Sequence, residues 1–187
     1  MHTAGARQTR AEIESMTDAL TGLYNHRRFH ELLRDTVEGA RTGDRDVAVL
    51  FCDIDHFKQL NDRYGHLSGD DVLRRVSRIM VSCIRRGDVA ARYGGDEFGV
   101  LLHSADMDTA MEVAERIRER VAELWVGRGD TATTISIGVA TLGGHEDGKE
   151  LLASADQAMY AAKDGGRNRV VRADTLEVAP VHLASQL

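Results

Sequence analysis

The chain has 187 residues, 42% of them hydrophobic, which is enough to build one domain around a single core. With 24 Lys and Arg against 30 Asp and Glu, the formal charge of −6 argues against a broad basic surface for nucleic acid or an acidic membrane. Any phosphate must therefore be bound by a local group of cations. Cys52 and Cys83 lie in apolar runs and are interpreted as buried core residues in a reducing cytoplasm.

The two ends of the chain carry little pattern. Residues 7–16 have a short helical spacing and are expected to continue or end a longer helix. No apolar run reaches the roughly 18 to 20 residues that span a bilayer, so we expect no membrane insertion by this chain. We interpret residues 1–16 as a helical stub or linker, residues 17–172 as the domain, and residues 173–187 as a tail.

In the first half of the domain, a turn at residues 18–23 precedes a helix that extends to about residue 40. Residues 47–53 form a short apolar run, which is typical of a buried central strand. We expect a loop over residues 61–69, and then an amphipathic helix that ends near Arg85, with Gly87 as its C-cap.

In the second half, two strand-like runs at residues 89–93 and 98–102 flank a Gly-Gly turn and predict a hairpin. The remaining pattern predicts a helix, a strand, a second helix and a short strand, at residues 107–124, 131–140, 148–163 and 168–171. Helices that alternate with strands, together with one hairpin, predict a single α/β (α+β) domain with a central mixed sheet flanked by helices.

Five segments of the domain resemble one known family in spelling, order and spacing. The most specific is Arg92-Tyr-Gly-Gly-Asp-Glu-Phe98 on the hairpin turn. The others are DALTGLYN at residues 18–25, DIDHFK with NDRYGH at 53–66, SIGV at 136–139, and ADQAMYAAK with GRN at 155–168. The chain is thereby identified as a member of the GGDEF family, the catalytic domain of diguanylate cyclases, although Ala19 stands where proline is commoner.

The resemblance implies a fold similar to class III nucleotide cyclases and polymerase palm domains. It also implies an activity, the condensation of two GTP molecules into cyclic di-GMP and two pyrophosphates. In such a reaction a ribose 3′-hydroxyl attacks an α-phosphate, and divalent metal ions stabilise the charge that builds on the phosphate oxygens.

The implied metal ligands are Asp53, the backbone carbonyl of Ile54, and Glu97, which suit Mg²⁺ and also Mn²⁺ because both prefer oxygen. The resemblance assigns Asp96 either to activation of the attacking hydroxyl or to a second metal. For Asp53 and for Asp55, the alternative interpretation is capping of the helix that follows.

Gly94 and Gly95 complete the implied catalytic turn. Without side chains they let the backbone lie close to a nucleotide, and the alternative explanation is a turn that requires positive φ.

The implied GTP contacts come from three short segments. Asn61 and Asp70 match the positions that bind guanine, whose N1 and N2 donors suit a carboxylate and an amide. Their alternative roles are a loop Asn and a helix N-cap. The phosphates are assigned to the backbone amides of Phe57 and Lys58 and to the side chains of Lys163 and Arg167. For the last two, the alternative is a solvated, positively charged helix end.

Arg85-Arg-Gly-Asp88 resembles the RxxD site at which many members of the family bind their own product and are inhibited. Arginine can bind guanine O6 and N7 in a bidentate manner, and aspartate can accept from N1 and N2. Arg116 is a candidate secondary contact. The alternative interpretation is a helix end followed by an ordinary turn aspartate.

We expect a homodimer for catalysis, because the product is two-fold symmetric and each domain is expected to hold one GTP. A regulatory domain upstream of this chain is also expected. Three alternatives stay open at this point: a catalytically quiet GGDEF domain that binds cyclic di-GMP or GTP, an enzyme for another purine nucleotide, and an unrelated α/β domain.

Overall fold

The computed structural model describes residues 16–43, 45–126, 131–143 and 147–176. In these ranges the helices are α1 His26–Gly43, α2 Phe57–Tyr64, α3 His66–Cys83, α4 Met107–Ala122 and α5 Gly148–Asp164, and Ala173–Thr175 forms a 3₁₀ turn. The strands are β1 Tyr24–Asn25, β2 Val47–Ile54, β3 Val89–Arg92, β4 Glu97–His103, β5 Trp125–Val126, β6 Thr131–Ala132, β7 Ile135–Thr141 and β8 Val170–Arg172.

Six of these strands form one mixed sheet in the order β1-β3-β4-β2-β7-β8. Strand β2 lies in the middle and pairs antiparallel with β4 and β7. The predicted hairpin is β3–β4, while β1 and β8 add parallel edges. The mixed sheet flanked by helices confirms the fold class expected from the sequence.

Strand β2 is buried along its whole length because both faces of the sheet are covered. Leu50 and Ile54 pack in the cluster that α3 and α4 cover, and Val49 and Phe51 pack in the cluster that α1 and α5 cover. Since side chains alternate along a strand, Asp53 points to the same side as Phe51. The first charged residue of the strand therefore lies on the α1–α5 side, at the end of the sheet.

Residues 61–69 are mostly helical, so the predicted loop is wrong. Helix α2 continues to Tyr64, Gly65 breaks the helix with φ 83°, and α3 begins at His66. In α2 only Leu60 is buried, so the segment had no apolar repeat that would indicate a helix. The predicted C-cap is also wrong: α3 ends at Cys83, and Gly87 lies in the turn before β3 with φ 104°.

Several predictions concern the edges of the domain. The short strands β1 and β5 were not predicted, and the single strand expected at residues 131–140 is two strands, β6 and β7, separated by residues 133–134. The expected helix at residues 7–16 lies outside the described residues except for Met16, as do residues 177–187 of the expected tail.

Both cysteines are buried and free, as predicted. Burial raises the pKa of the Cys52 thiol, and the charge of Asp53 adds to the rise. Within the described ranges, none of the helices has the length and apolarity needed to cross a membrane.

Candidate active site

Asp53 and Glu97 lie directly opposite each other on the antiparallel strands β2 and β4. Directly opposite residues of such a pair point to the same face and lie about 5 Å apart. Asp53 is 7% exposed, and Glu97 is half-buried. The fold therefore brings together two carboxylates that are 44 positions apart in the sequence.

These carboxylates carry more negative charge than their surroundings balance. Burial raises the pKa of Asp53 to about 6 from 3.8, and the charges of Asp96 and Glu97 add to the rise. Burial and the charge of Asp96 also raise the pKa of Glu97. Lys163 opposes both shifts, and its Nζ lies 2.8 Å from Asp53 Oδ2. The site thus favours an additional positive charge.

The hairpin turn that carries Asp96 is held by hydrogen bonds within the turn. Tyr93 N–H and Gly94 N–H donate to the Glu97 carbonyl over 2.8 and 3.2 Å. A Cβ at Gly94 would lie 2.7 Å from Glu97 Oε2, so a side chain there would displace the carboxylate. Neither Gly94 nor Gly95 has positive φ, so the alternative explanation from turn conformation is wrong.

Arg92 wraps around this turn and connects it to the start of the domain. Its Nη2 donates to the Gly95 carbonyl over 2.7 Å, and its Nη1 lies 3.2 Å from Asp18 Oδ2. Asp18 also accepts from the backbone and hydroxyl of Thr21. Asp18 and Arg92 belong to two of the sequence motifs, but the resemblance assigns neither residue a role. Their opposite charges, in two motifs that meet at one turn, were the available signal.

Asp55 does not cap α2. It is buried, and its oxygens accept hydrogen bonds from the hydroxyls of Thr134 and Ser136, each 2.7 Å long, and from the backbone N–H of Asn168 at 3.0 Å. The capping position belongs to His56, which adopts φ 57° and makes no side-chain cap. The alternative of helix capping is therefore wrong for Asp55 and also for Asp53, which lies inside β2.

The first turn of α2 presents backbone N–H groups, and the side chain of the N-cap residue, His56, makes no hydrogen bond to them. These belong to the segment of Phe57 and Lys58, the positions assigned to phosphate. A helix N-terminus with free N–H groups and a positive dipole end suits an anion.

Asn61 lies against Gly69, where α2 and α3 meet. A Cβ at Gly69 would overlap Asn61 Oδ1 and lie 3.1 Å from the Phe57 ring. Asn61 Oδ1 is buried and lacks a hydrogen-bond partner within the described residues. An unpaired buried acceptor is unfavourable unless a ligand donor reaches it. Asp70 follows Gly69 inside α3, whose N-cap is Gly65, so the alternative of an N-cap aspartate is wrong.

Lys163 and Arg167 lie at the C-terminal end of α5 and in the turn after it. Lys163 faces the carboxylates through its ion pair with Asp53. Arg167 is exposed and has φ 63°, a left-handed conformation that is uncommon for a residue with a side chain. The end of α5 thus places Lys163 at Asp53, and the backbone of the turn that carries Arg167 is held beside Asp55 through the N–H of Asn168.

The Arg85–Asp88 motif lies at the other end of β4. The Asp88 carboxylate is 4% exposed and accepts from the backbone N–H groups of Arg85 and His103 over 3.2 and 3.0 Å. Arg85 is 58% exposed and donates to the carbonyls of His103 and Ser104. Arg116 donates to the Cys83 carbonyl over 2.6 Å. A cavity of about 600 Å³ lies beside this motif and is also lined by Arg28.

The described residues contain no group of three His, Cys, Asp or Glu side chains that is suited to a metal. The candidate set at Asp53 differs from such a group, since it combines two carboxylates with one backbone carbonyl and leaves positions for phosphate oxygens. The excess negative charge and the all-oxygen donors fit a hard divalent cation.

The mixed sheet has two acidic side chains at one end. Cationic residues lie at the end of α5 and in the turn after it, and the N-cap of α2 makes no side-chain cap. Together these features are typical of one class of nucleotide-binding domain. The chain has the palm-like fold of nucleotide cyclase domains. A family model described as "Diguanylate cyclase, GGDEF domain" matches residues 15–169. The chain belongs to the GGDEF family, which forms the catalytic domain of diguanylate cyclases and uses divalent metal ions.

Similar proteins agree with this assignment. The chain is 43% identical over 156 residues to diguanylate cyclase DgcM of Escherichia coli (strain K12), covering 83% of this chain and 38% of that protein. It is 42% identical over 161 residues to diguanylate cyclase A of Treponema denticola, covering 82% of this chain and 43% of that protein. The chain thus spans less than half the length of these curated relatives.

Solved structures are similar over most of the chain. The coiled coil and GGDEF domain of DgcB from Caulobacter crescentus, in complex with c-di-GMP, gives a TM-score of 0.85 at 33% identity, covering 90% of this chain and 91% of that one. The active GGEEF domain of a diguanylate cyclase from Vibrio cholerae gives a TM-score of 0.76 at 34% identity, covering 80% and 97%.

Proposed function

We propose that this chain condenses two GTP molecules into cyclic di-GMP and two pyrophosphates. The single observation that carries the proposal is the position of Asp53 opposite Glu97, with both pKa values raised and Lys163 as their cationic neighbour. Two carboxylates kept close together in this way need a cation, and a nucleotide triphosphate with its metal supplies one.

Asp53, Glu97 and the carbonyl of Ile54 would hold the metal ion, Mg²⁺ or Mn²⁺. When bound, the metal stabilises negative charge on the phosphate being transferred. The residues of the chain supply position. Gly94 leaves room for the Glu97 carboxylate, and the bonds of Tyr93 and Arg92 fix the turn from which Asp96 and Glu97 project.

The nucleotide would lie between α2 and the end of α5. Asn61 Oδ1, buried without a partner, accepts from a guanine N–H, and Asp70 accepts from a second one. The uncapped N–H groups at Phe57 and Lys58 bind phosphate oxygens. Lys163 and Arg167 bind the terminal phosphates through charge-assisted hydrogen bonds.

Asp96 accepts the proton of the attacking 3′-hydroxyl or helps to hold a second metal. In the proposed reaction the 3′-oxygen of one GTP forms a bond to the α-phosphorus of the other, and pyrophosphate leaves. A second, equivalent reaction joins the 3′-oxygen of the other GTP to the α-phosphorus of the first, and a second pyrophosphate leaves. Because the two reactions are equivalent, two domains related by a two-fold axis each contribute one GTP.

Regulation would act through the product and through association. Arg85, Asp88 and Arg116 would bind cyclic di-GMP at the cavity of about 600 Å³ and lower turnover. A regulatory domain in a longer protein would set how often two catalytic domains meet. The formal charge of −6 fits ligands that are nucleotides rather than nucleic acid, and the two free cysteines fit a reducing cytoplasm.

The test is a product assay at high protein concentration with GTP and Mg²⁺, read by mass spectrometry. We expect cyclic di-GMP from GTP and no cyclic product from ATP, because Asn61 and Asp70 select guanine. Absence of both cyclic di-GMP and a linear intermediate would contradict the proposal. Tight binding of cyclic di-GMP without turnover would instead indicate a catalytically quiet binding module.

A further inference from the structure

The turn after α5 has an unusual backbone. Gly166, Arg167 and Asn168 have φ values of 113°, 63° and 45°, so three consecutive residues are left-handed. For Arg167 and Asn168 this conformation is unfavourable because their Cβ atoms crowd the backbone. Such a turn persists only where surrounding groups hold it.

The first of these groups is Asp55. Its Oδ2 accepts the backbone N–H of Asn168 over 3.0 Å. The carboxylate is itself fixed by hydroxyl groups of Thr134 and Ser136, each at 2.7 Å. A buried carboxylate with three donors is rigid, so it holds the backbone of Asn168 at a defined position beside β7.

The second group is Arg118 of α4. Its Nη1 donates to Asn168 Oδ1 over 3.0 Å, while its Nε donates to Glu115 Oε2 over 2.6 Å. The Arg118 side chain is 20% exposed, which limits its freedom. Asn168 is thus held through its backbone by Asp55 and through its side chain by Arg118.

We infer that Asp55 and Arg118 are positioning residues that hold the left-handed turn at Asn168, so that the neighbouring Arg167 points its guanidinium at the terminal phosphates of the nucleotide. The inference rests on the proposed function, because it assigns Arg167 to phosphate. Neither residue is among the proposed GTP contacts. Arg118 lies on α4, from which none of the proposed GTP contacts comes.

The test uses Arg118→Ala and compares two ligands, α,β-methylene GTP and GMP, each with Mg²⁺. Loss of the hydrogen bond lets Arg167 move, so we expect the Kd for the triphosphate analogue to rise about tenfold. The Kd for GMP should stay within about twofold, because guanine contacts lie at Asn61 and Asp70. In turnover, KM for GTP should rise more than kcat falls.

Two further variants separate position from stability. Arg118→Lys keeps one donor toward Asn168 and should recover part of the affinity. Arg120→Ala is the matched control: Arg120 is on the same helix, and it donates to Ser82 Oγ over 3.0 Å, away from the turn. Its affinity for both ligands should equal that of the wild type.

Asn168→Gly relieves the backbone strain but removes Oδ1, so it should weaken triphosphate binding as Arg118→Ala does. The double variant Arg118→Ala/Asn168→Gly should bind the triphosphate analogue no more weakly than either single variant, because both substitutions remove the same hydrogen bond. Triphosphate binding by Arg118→Ala that equals wild type, or equal loss of both ligands with a lower melting temperature, would overturn the inference. Wild-type protein that binds neither ligand would overturn the proposed function itself.

Discussion

Acidic residues at the two ends of strand β4 differ in how the protein satisfies their charge. At the start of the strand, Glu97 faces Asp53, and the pKa values of both carboxyls are raised. At its end, Asp88 accepts from two backbone N–H groups and is almost fully buried. The first pair is left needing a cation, whereas the second carboxylate already has internal donors. A motif carboxylate whose charge is unbalanced therefore indicates a bound ligand. A motif carboxylate that already accepts hydrogen bonds from the backbone also stabilises the fold.

The largest expected effect is the loss of turnover when Glu97, at the start of β4, is replaced by Gln. The variant keeps the shape of the side chain but removes a charge needed for the metal, so turnover should fall at least about 1,000-fold. The measurement is the initial rate of cyclic di-GMP formation. Glu112→Gln, on the exposed face of α4, is the control and should keep wild-type activity. A Glu97→Gln rate within tenfold of wild type would contradict the assignment.

Asp88→Ala should produce the largest change in stability. It leaves the N–H groups of Arg85 and His103 without their acceptor, and we expect a loss of about 2 kcal/mol in the free energy of unfolding. Urea denaturation without metal measures it. Glu97→Gln should lose none. If Asp88→Ala and Glu97→Gln unfold at the same urea concentration, the two carboxylates do not differ in how much they stabilise the fold.

Asp53 predicts a pH dependence of stability in the metal-free protein. Its pKa is about 6 when folded and 3.8 in the ordinary state, so the folded protein binds this proton more tightly. Stability from this group is therefore greatest below about pH 4 and falls until about pH 6, by on the order of 3 kcal/mol. Asp53→Asn should flatten that decline in denaturation curves between pH 4 and 8. An unchanged decline in the variant would refute the pKa assignment.

Arg85→Ala should give the smallest change in stability. Its side chain is 58% exposed, so we expect less than about 0.5 kcal/mol in the free energy of unfolding. The same variant should require several-fold more cyclic di-GMP for half-inhibition of turnover. The two measurements distinguish Arg85 from Asp88, since Asp88→Ala would change both the free energy of unfolding and the cyclic di-GMP concentration needed for half-inhibition. Inhibition that is identical in wild type and Arg85→Ala would exclude Arg85 from the product site.

The sequence predicted the central strand and the hairpin well, because short continuous apolar runs bounded by turn residues are typical of strands that are buried on both faces. Strand β2 and the hairpin β3–β4 were found within one or two residues. Helix α2 was missed because only Leu60 is buried in it. Its N-terminal turn depends on His56 at φ 57°, a conformation that residue identity does not indicate.

Within the candidate site, residue types and family resemblance led to a hypothesis about which side chains bind or react, and they did not predict the contacts that hold those side chains. The roles of Asp53 and Asp55 differ although they are two positions apart in one motif. Asp55 was weighed as a cap, yet it binds Thr134, Ser136 and Asn168, which come from distant segments. Such partners depend on tertiary packing, so local sequence rules do not identify them.

The ion pair between Lys163 and Asp53 has one more consequence under the proposed function. A metal ion that arrives alone must compete with the Lys163 ammonium, which balances part of the negative charge, and a displaced ammonium loses its ion pair with Asp53. A nucleotide that arrives with the metal gives Lys163 a phosphate in return. Binding is then an exchange of counter-ions, in which metal and triphosphate each raise the affinity of the domain for the other.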